Sequence, residues 1–159
     1  MSTQDPELAF SCFTKLRNEW DKKDVIIIEG DKSRIGVGND YLNNANSVRR
    51  ILGPAMNAFS FIDEIFDAAI SIAGSNKDVL FLLALGPTAT ILSYKLHLSG
   101  FRALDIGHVD VEYEWWKQRS ATKVPLDNKY VNEAGGLEAF HESNIPDSYY
   151  KEIVWTYKI

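Results

Sequence analysis

Apolar residues recur along the chain with two periods. Leu8, Phe10, Phe13, Leu16 and Trp20 follow the three-to-four-residue spacing of one helix face, so a helix is expected over Glu7 to Trp20. Val25-Ile26-Ile27-Ile28 is an unbroken β-branched run, the pattern of a strand buried on both faces. Ser47 to Leu52 reads as a second strand, with Arg49 and Arg50 pointing to opposite faces. Helical spacing returns from Phe59 to Ala73, with Ser60 as the expected N-cap and Asp63 three residues on. Val79 to Leu85 is the most apolar stretch and is expected at the centre of the sheet. Pro87 then opens a helix that runs to Ser99, with Ile91, Leu92, Tyr94, Leu96 and Leu98 mostly buried and Gly100 as its cap. A short strand ends at Ile106, a helix is expected from Val111 to Arg119, and Ile153 to Tyr157 reads as a last strand. Strands and helices alternate at about 25-residue intervals, which predicts right-handed crossovers and a mostly parallel α/β sheet.

Ligands in such sheets bind outside the carboxyl ends of the strands. Three segments fall there. Glu29 to Asp40 follows the first strand and holds Gly30, Ser33, Arg34, Gly36 and Asn39. It is a plain connection or a ligand loop; its glycines allow close backbone approach, and Arg34 offers a planar fork of donors. It has neither P-loop spacing nor a dinucleotide fingerprint. Gly86-Pro87-Thr88 is a helix start, whose unpaired N–H groups and dipole suit phosphate. Gly107 to Trp116 delivers His108, Asp110, Glu112 and Glu114 directly after the fourth strand. If that segment is extended, Asp110 and Glu112 share one side and converge on a hard cation; otherwise they are a solvated acidic edge. His108 and Glu114 are the candidate general bases, and His108 fits equally well as a loop-holding residue. Lys129 to Gly136 is a further segment expected at the ligand edge.

Composition narrows the classes. The 159 residues fit one domain over 1–159, and 45% hydrophobic content supports a core. A formal net charge of −5 argues against a nucleic-acid partner. The single cysteine, Cys12, sits at an apolar-periodic position and reads as a core residue. The N-terminus lacks the pattern of a secretory signal, and no apolar run is long enough to span a bilayer. A cytoplasmic protein is therefore expected. Homo-oligomerisation stays open, as does an assembly subunit that completes its site with another chain; exposure of Trp115, Trp116 or Trp155 would favour the latter.

Taken together, the segments Glu29 to Asp40, Leu85 to Thr90 and Asp105 to Trp115 resemble the bacterial glycosyltransferases of the GT-D fold, which extend sugar chains on surface glycoproteins and polysaccharides. The resemblance runs from about residue 13 to 133. It implies a Rossmann-like three-layer α/β/α fold, a UDP-sugar donor, and a glycan or glycoprotein acceptor. It also implies Mn²⁺ or Mg²⁺ at an Asp-x-Glu motif, which matches Asp110 and Glu112. The family's Glu-Gly-x-x-Ser-Arg loop matches Glu29, Gly30, Ser33 and Arg34 and implies a donor-site lining. Family members usually carry a preceding region with a Gly-Asp-Gly-Glu type motif, which is absent here. The chain then reads as a C-terminal piece of the family domain, a shortened gene product or a degenerate homologue: a metal-assisted transferase or, alternatively, a non-catalytic nucleotide-binding or partner-dependent module.

Overall fold

The computed structural model describes residues 5–136, 138–143 and 145–158. Helix α1 (Pro6–Asn18) opens with Asp5 as N-cap, its carboxylate accepting from the Glu7 and Leu8 amides. Strands β1 (Asp24–Gly30), β2 (Ser47–Gly53), β3 (Leu80–Ala84), β4 (Arg102–Asp105) and β5 (Ile153–Thr156) form one sheet in the order β4-β3-β1-β2-β5. Every neighbouring pair is parallel. The α/β expectation therefore holds, with one adjustment: β1, not the more apolar β3, is the central strand.

Burial on both faces explains the β1 sequence. Val25, Ile26, Ile27 and Ile28 are all fully buried. Each such side chain is worth about 1.5–3 kcal/mol of transfer free energy. Alternation sends Ile26 and Ile28 to a core under α2 (Ile62–Ala73) and α3 (Pro87–Leu98). Val25 and Ile27 go to a second core with Phe13, Trp20 and Tyr41, under α1 and α4 (Val109–Lys117). A short helix α5 (Asp147–Glu152) leads into β5.

Two local expectations change. Ser60 is not the cap of α2: it lies in a 3₁₀ turn over Ala58–Phe61, and α2 starts directly from that turn without a side-chain cap. On α3, Ala89, Leu92 and Leu96 are buried, whereas Ile91, Tyr94 and Leu98 are exposed. Both faces of α3 are apolar, so periodicity alone does not mark the inner one.

Candidate functional site

The sheet order reverses at β1. From there the chain runs outward through β2 on one side and through β3 and β4 on the other. Such a switch point leaves a crevice between the carboxyl ends of the two strands, here β1 and β3. A cleft of about 490 Å³ occupies it. Gly30 and Ser33 line it from the loop after β1; Gly86, Pro87 and Thr88 from the start of α3; His108 and Asp110 from the start of α4. The helix start at Gly86 was legible in the sequence, but the second, at His108, was not. Two helix N-termini each carry about half a positive charge. Together they make the cleft suited to anionic groups.

Gly86 is required by its backbone. Its φ of 54° with ψ of −147° is a conformation only glycine adopts readily, and it turns β3 sharply into α3. Gly36 carries two constraints: φ is 76°, and an added Cβ would meet the Leu42 side chain at 2.7 Å. Its amide donates to Asp110 Oδ1 at 3.0 Å, fastening the loop after β1 to α4.

The remaining loop residues act in that fastening rather than in the cleft lining. Glu29 is fully buried; its carboxylate accepts from the Ile35 amide (2.7 Å) and from Arg50 Nη1 (2.6 Å). Burial pushes the Glu29 carboxyl above its ordinary range, against the downward pull of Arg50 and the Ile35 amide. Arg50 also donates to Glu152 at 2.7 Å and sits 4.9 Å from the Tyr149 ring centre. Arg34 adopts a left-handed φ of 51° and donates to the Asn128 carbonyl and to Glu142. Its guanidinium is thus held against the 128–142 segment and not over the cleft. Asn39 donates to both Asp110 and Glu114. Asp40 accepts from Tyr113 and Lys117, which hold its carboxyl below the ordinary range, Lys117 most strongly.

The expected convergence of Asp110 and Glu112 is corrected by secondary structure. Both lie on helix α4, where two residues turn through about 200°. Asp110 faces the switch-point cleft, and Glu112 lines a separate cavity on the far side of the helix. Asp110 is buried and already accepts from Gly36, Asn39 and the Lys129 ammonium. Lys129 is itself buried and lies 3.7 Å from Glu114. Glu114 therefore belongs to this charge cluster, and His108 is the candidate base that reaches the cleft. Among the described residues, no group of three or more His, Cys, Asp or Glu side chains is placed to hold a metal ion. As arranged, the residues do not fit a two-carboxylate metal site.

Sequence reasoning missed Lys129, because its burial follows only from the placement of Asp110 beside it. The expectation for the segment around it was sound: Tyr130 and Asn132 line the cleft. Trp115 is buried, and Trp116 and Trp155 are half-buried, so the exposed tryptophan expected of an assembly subunit is missing among the described residues. No helix among those residues is long and apolar enough to cross a membrane.

A parallel sheet with two helix starts and a small-residue loop meeting at its switch point defines a Rossmann-like α/β domain whose cleft has the polarity suited to anionic groups. The family model described as "Glycosyltransferase GT-D fold" matches residues 1–134. The chain belongs to that family. It is 43% identical over 130 residues to "Glycosyltransferase GlyD" of Streptococcus pneumoniae, covering 82% of this chain and 16% of that protein. To "Probable glycosyl transferase Gly" of Streptococcus gordonii it is 45% identical over 121 residues, 76% of this chain and 17% of that one. A solved structure described as "The highly conserved domain of unknown function 1792 has a distinct glycosyltransferase fold" superposes with a TM-score of 0.90 at 36% identity, over 98% of this chain and 55% of that one. Another, "A New Glycosyltransferase (DUF1792) from Streptococcus sanguinis", gives 0.88 at 37%, over 99% and 57%. The chain thus spans just over half of those solved chains and under a fifth of the two curated relatives.

Proposed function

We propose that this chain binds the diphosphate of a UDP-sugar in the switch-point cleft and serves transfer of the sugar to a glycan or glycoprotein acceptor. The observation that carries this reading is the convergence of the α3 and α4 N-termini with Ser33 and Thr88 on one cleft. Amide donors fixed in place stabilise charge on a departing diphosphate without reorganising as it forms. His108, at the rim, takes the proton from the acceptor hydroxyl. Asp110, Asn39, Gly36 and Lys129 hold the loop after β1 and the start of α4 in register, keeping the two sides of the cleft together.

A divalent cation belongs to the same proposal in a restricted form. Mg²⁺ and Mn²⁺ sites of this kind use few protein carboxylates and draw on substrate phosphates. Here an ion would reach Asp110 only by trading places with Lys129.

Calorimetry with UDP, followed by an assay of UDP-sugar turnover, tests the reading. UDP binding that is lost when Thr88 and His108 are replaced by bulkier apolar residues supports it. Preferential binding of NAD or S-adenosylmethionine refutes it, and UDP binding without turnover assigns the chain to the non-catalytic alternative.

A further inference from the structure

A cavity of about 1110 Å³ lies between α1 and α4, on the opposite side of α4 from the switch-point cleft. The reaction described above does not use it. Its lining joins two chemistries. Phe10, 60% exposed, stands beside the half-buried Trp116 with ring centres 6.1 Å apart. Around them lie the cations Arg17, Lys117, Arg119 and Lys123, against two acids, Asp40 and Glu112. Lys117 is committed to Asp40 at 2.7 Å. In a chain of net charge −5 this groove is locally cationic.

Two details indicate that the cations are kept for a ligand. The Arg17 Nε is buried and has no hydrogen-bond partner among the described residues. Buried donors are ordinarily satisfied, so each such group calls for an explanation. Arg119 closes α4: its amide donates to the Trp116 carbonyl, and the Ser120 amide donates to that of Trp115. This is the helix ending in which the penultimate position takes a left-handed conformation, usually glycine. Arg119 occupies it with φ 52°, a conformation an arginine adopts only at a cost in backbone energy. Glycine would fold better there, but it would leave the groove without a guanidinium.

We propose that the groove between α1 and α4 binds an anionic saccharide, with sugar rings on Phe10 and Trp116 and a carboxylate or phosphate among Arg17, Arg119 and Lys123. The pairing of ring faces with donors follows from the ligand's own chemistry. Sugar C–H faces pack on aromatic rings, and guanidinium forks bind carboxylate and phosphate oxygens in pairs. Identifying this saccharide with the acceptor rests on the transferase reading. A helix is about 10–12 Å across with its side chains. On that reading, a glycan of several units bridges that width, with one end in the groove and the other at His108.

The test uses the full chain and three small probes: cellobiose, cellobiouronic acid and cellobiose 6′-phosphate. Tryptophan fluorescence and calorimetry report binding, with UDP titrated separately. The expected result is that one or both charged disaccharides bind, at least roughly tenfold more tightly than neutral cellobiose, a difference of ~1.4 kcal/mol. Phe10→Ala and Arg119→Gly should each weaken the charged ligand by a similar factor and leave UDP binding unchanged. Arg119→Gly should also melt no lower than the wild type, because it relieves the left-handed strain. The carboxylate and phosphate arms tell the two anionic groups apart. The proposal is overturned if no disaccharide binds, if neutral and charged disaccharides bind alike, or if both variants bind as the wild type does. It is also overturned if phosphatidylglycerol vesicles occupy the groove in place of saccharides. Failure to bind UDP alongside normal disaccharide binding would sink the donor reading and leave the groove standing.

Discussion

Lys129 offers the sharpest test of how this site is built. Its ammonium is buried and sits on Asp110, which is also buried and accepts from Gly36 and Asn39 as well. Replacing Lys129 by Met keeps most of the side-chain volume but leaves the Asp110 carboxylate without its counter-charge. Removing one partner of a buried ion pair costs about 3–5 kcal/mol, because the remaining charge stays desolvated. That is a large part of the roughly 5–15 kcal/mol that ordinarily holds a domain folded. For a chain of this size each kcal/mol shifts the melting temperature by about 2–4 °C, so Lys129→Met should melt roughly 6–20 °C lower. Urea unfolding and calorimetry measure this directly. Pairing it with Asp110→Asn should recover a large share of the loss, since the carboxylate charge goes with it. A single variant that loses less than about 1 kcal/mol would show the pair to be solvated, as exposed ion pairs are. The argument that α4 and the loop after β1 are tied by a buried charge cluster would then fail.

Three further outcomes are expected. Gly86→Ala should cost about 1–3 kcal/mol for backbone conformation alone, since nothing crowds an added Cβ there, and it should weaken UDP binding; a thermal melt and a UDP titration check both. Burial raises the Tyr149 hydroxyl to about 12, so the folded state keeps its proton where the unfolded chain, near 10, has lost it. That stability is full below pH 10 and declines as pH rises toward 12, by about 1.4 kcal/mol at pH 11; Tyr149→Phe should lack this part of the alkaline slope in urea midpoints. If Lys129 competes with a cation for Asp110, Lys129→Gln should bind Mn²⁺ more tightly than the wild type in the presence of UDP, read by electron paramagnetic resonance; weaker binding would refute the competition.

Much of the fold was legible because β1 and β3 are buried on both faces and so carry unbroken apolar runs. The helix–strand alternation around them leaves little besides a parallel sheet. Gly86-Pro87-Thr88 was legible as a helix start for a local reason, the turn chemistry of glycine followed by proline. Asp110 and Glu112 were harder. Alternate acids read the same on a strand edge as in the first turn of a helix, and only the helix sends them to different cavities. Arg34 and Glu29 look like ligand-binding side chains in a glycine-rich loop. Their partners Asn128, Glu142 and Arg50 are remote in sequence, so nothing local shows that both are already engaged. The centre of the sheet was misassigned because hydrophobicity measures burial, and β1 and β3 are equally buried.

The Glu29–Arg50–Glu152 chain ties β2 to residues past the segment that the family model matches. The family model matches residues 1–134, yet Arg50 on β2 is neutralised partly by Glu152, and β5 pairs with β2. A polypeptide trimmed at the family boundary would expose one flank of β2 and strip a buried guanidinium of half its counter-ions. The physical unit therefore extends past the segment that the family model matches, in line with solved relatives that superpose over 98–99% of the chain, and α5 and β5 are a keystone of the fold, not a tail.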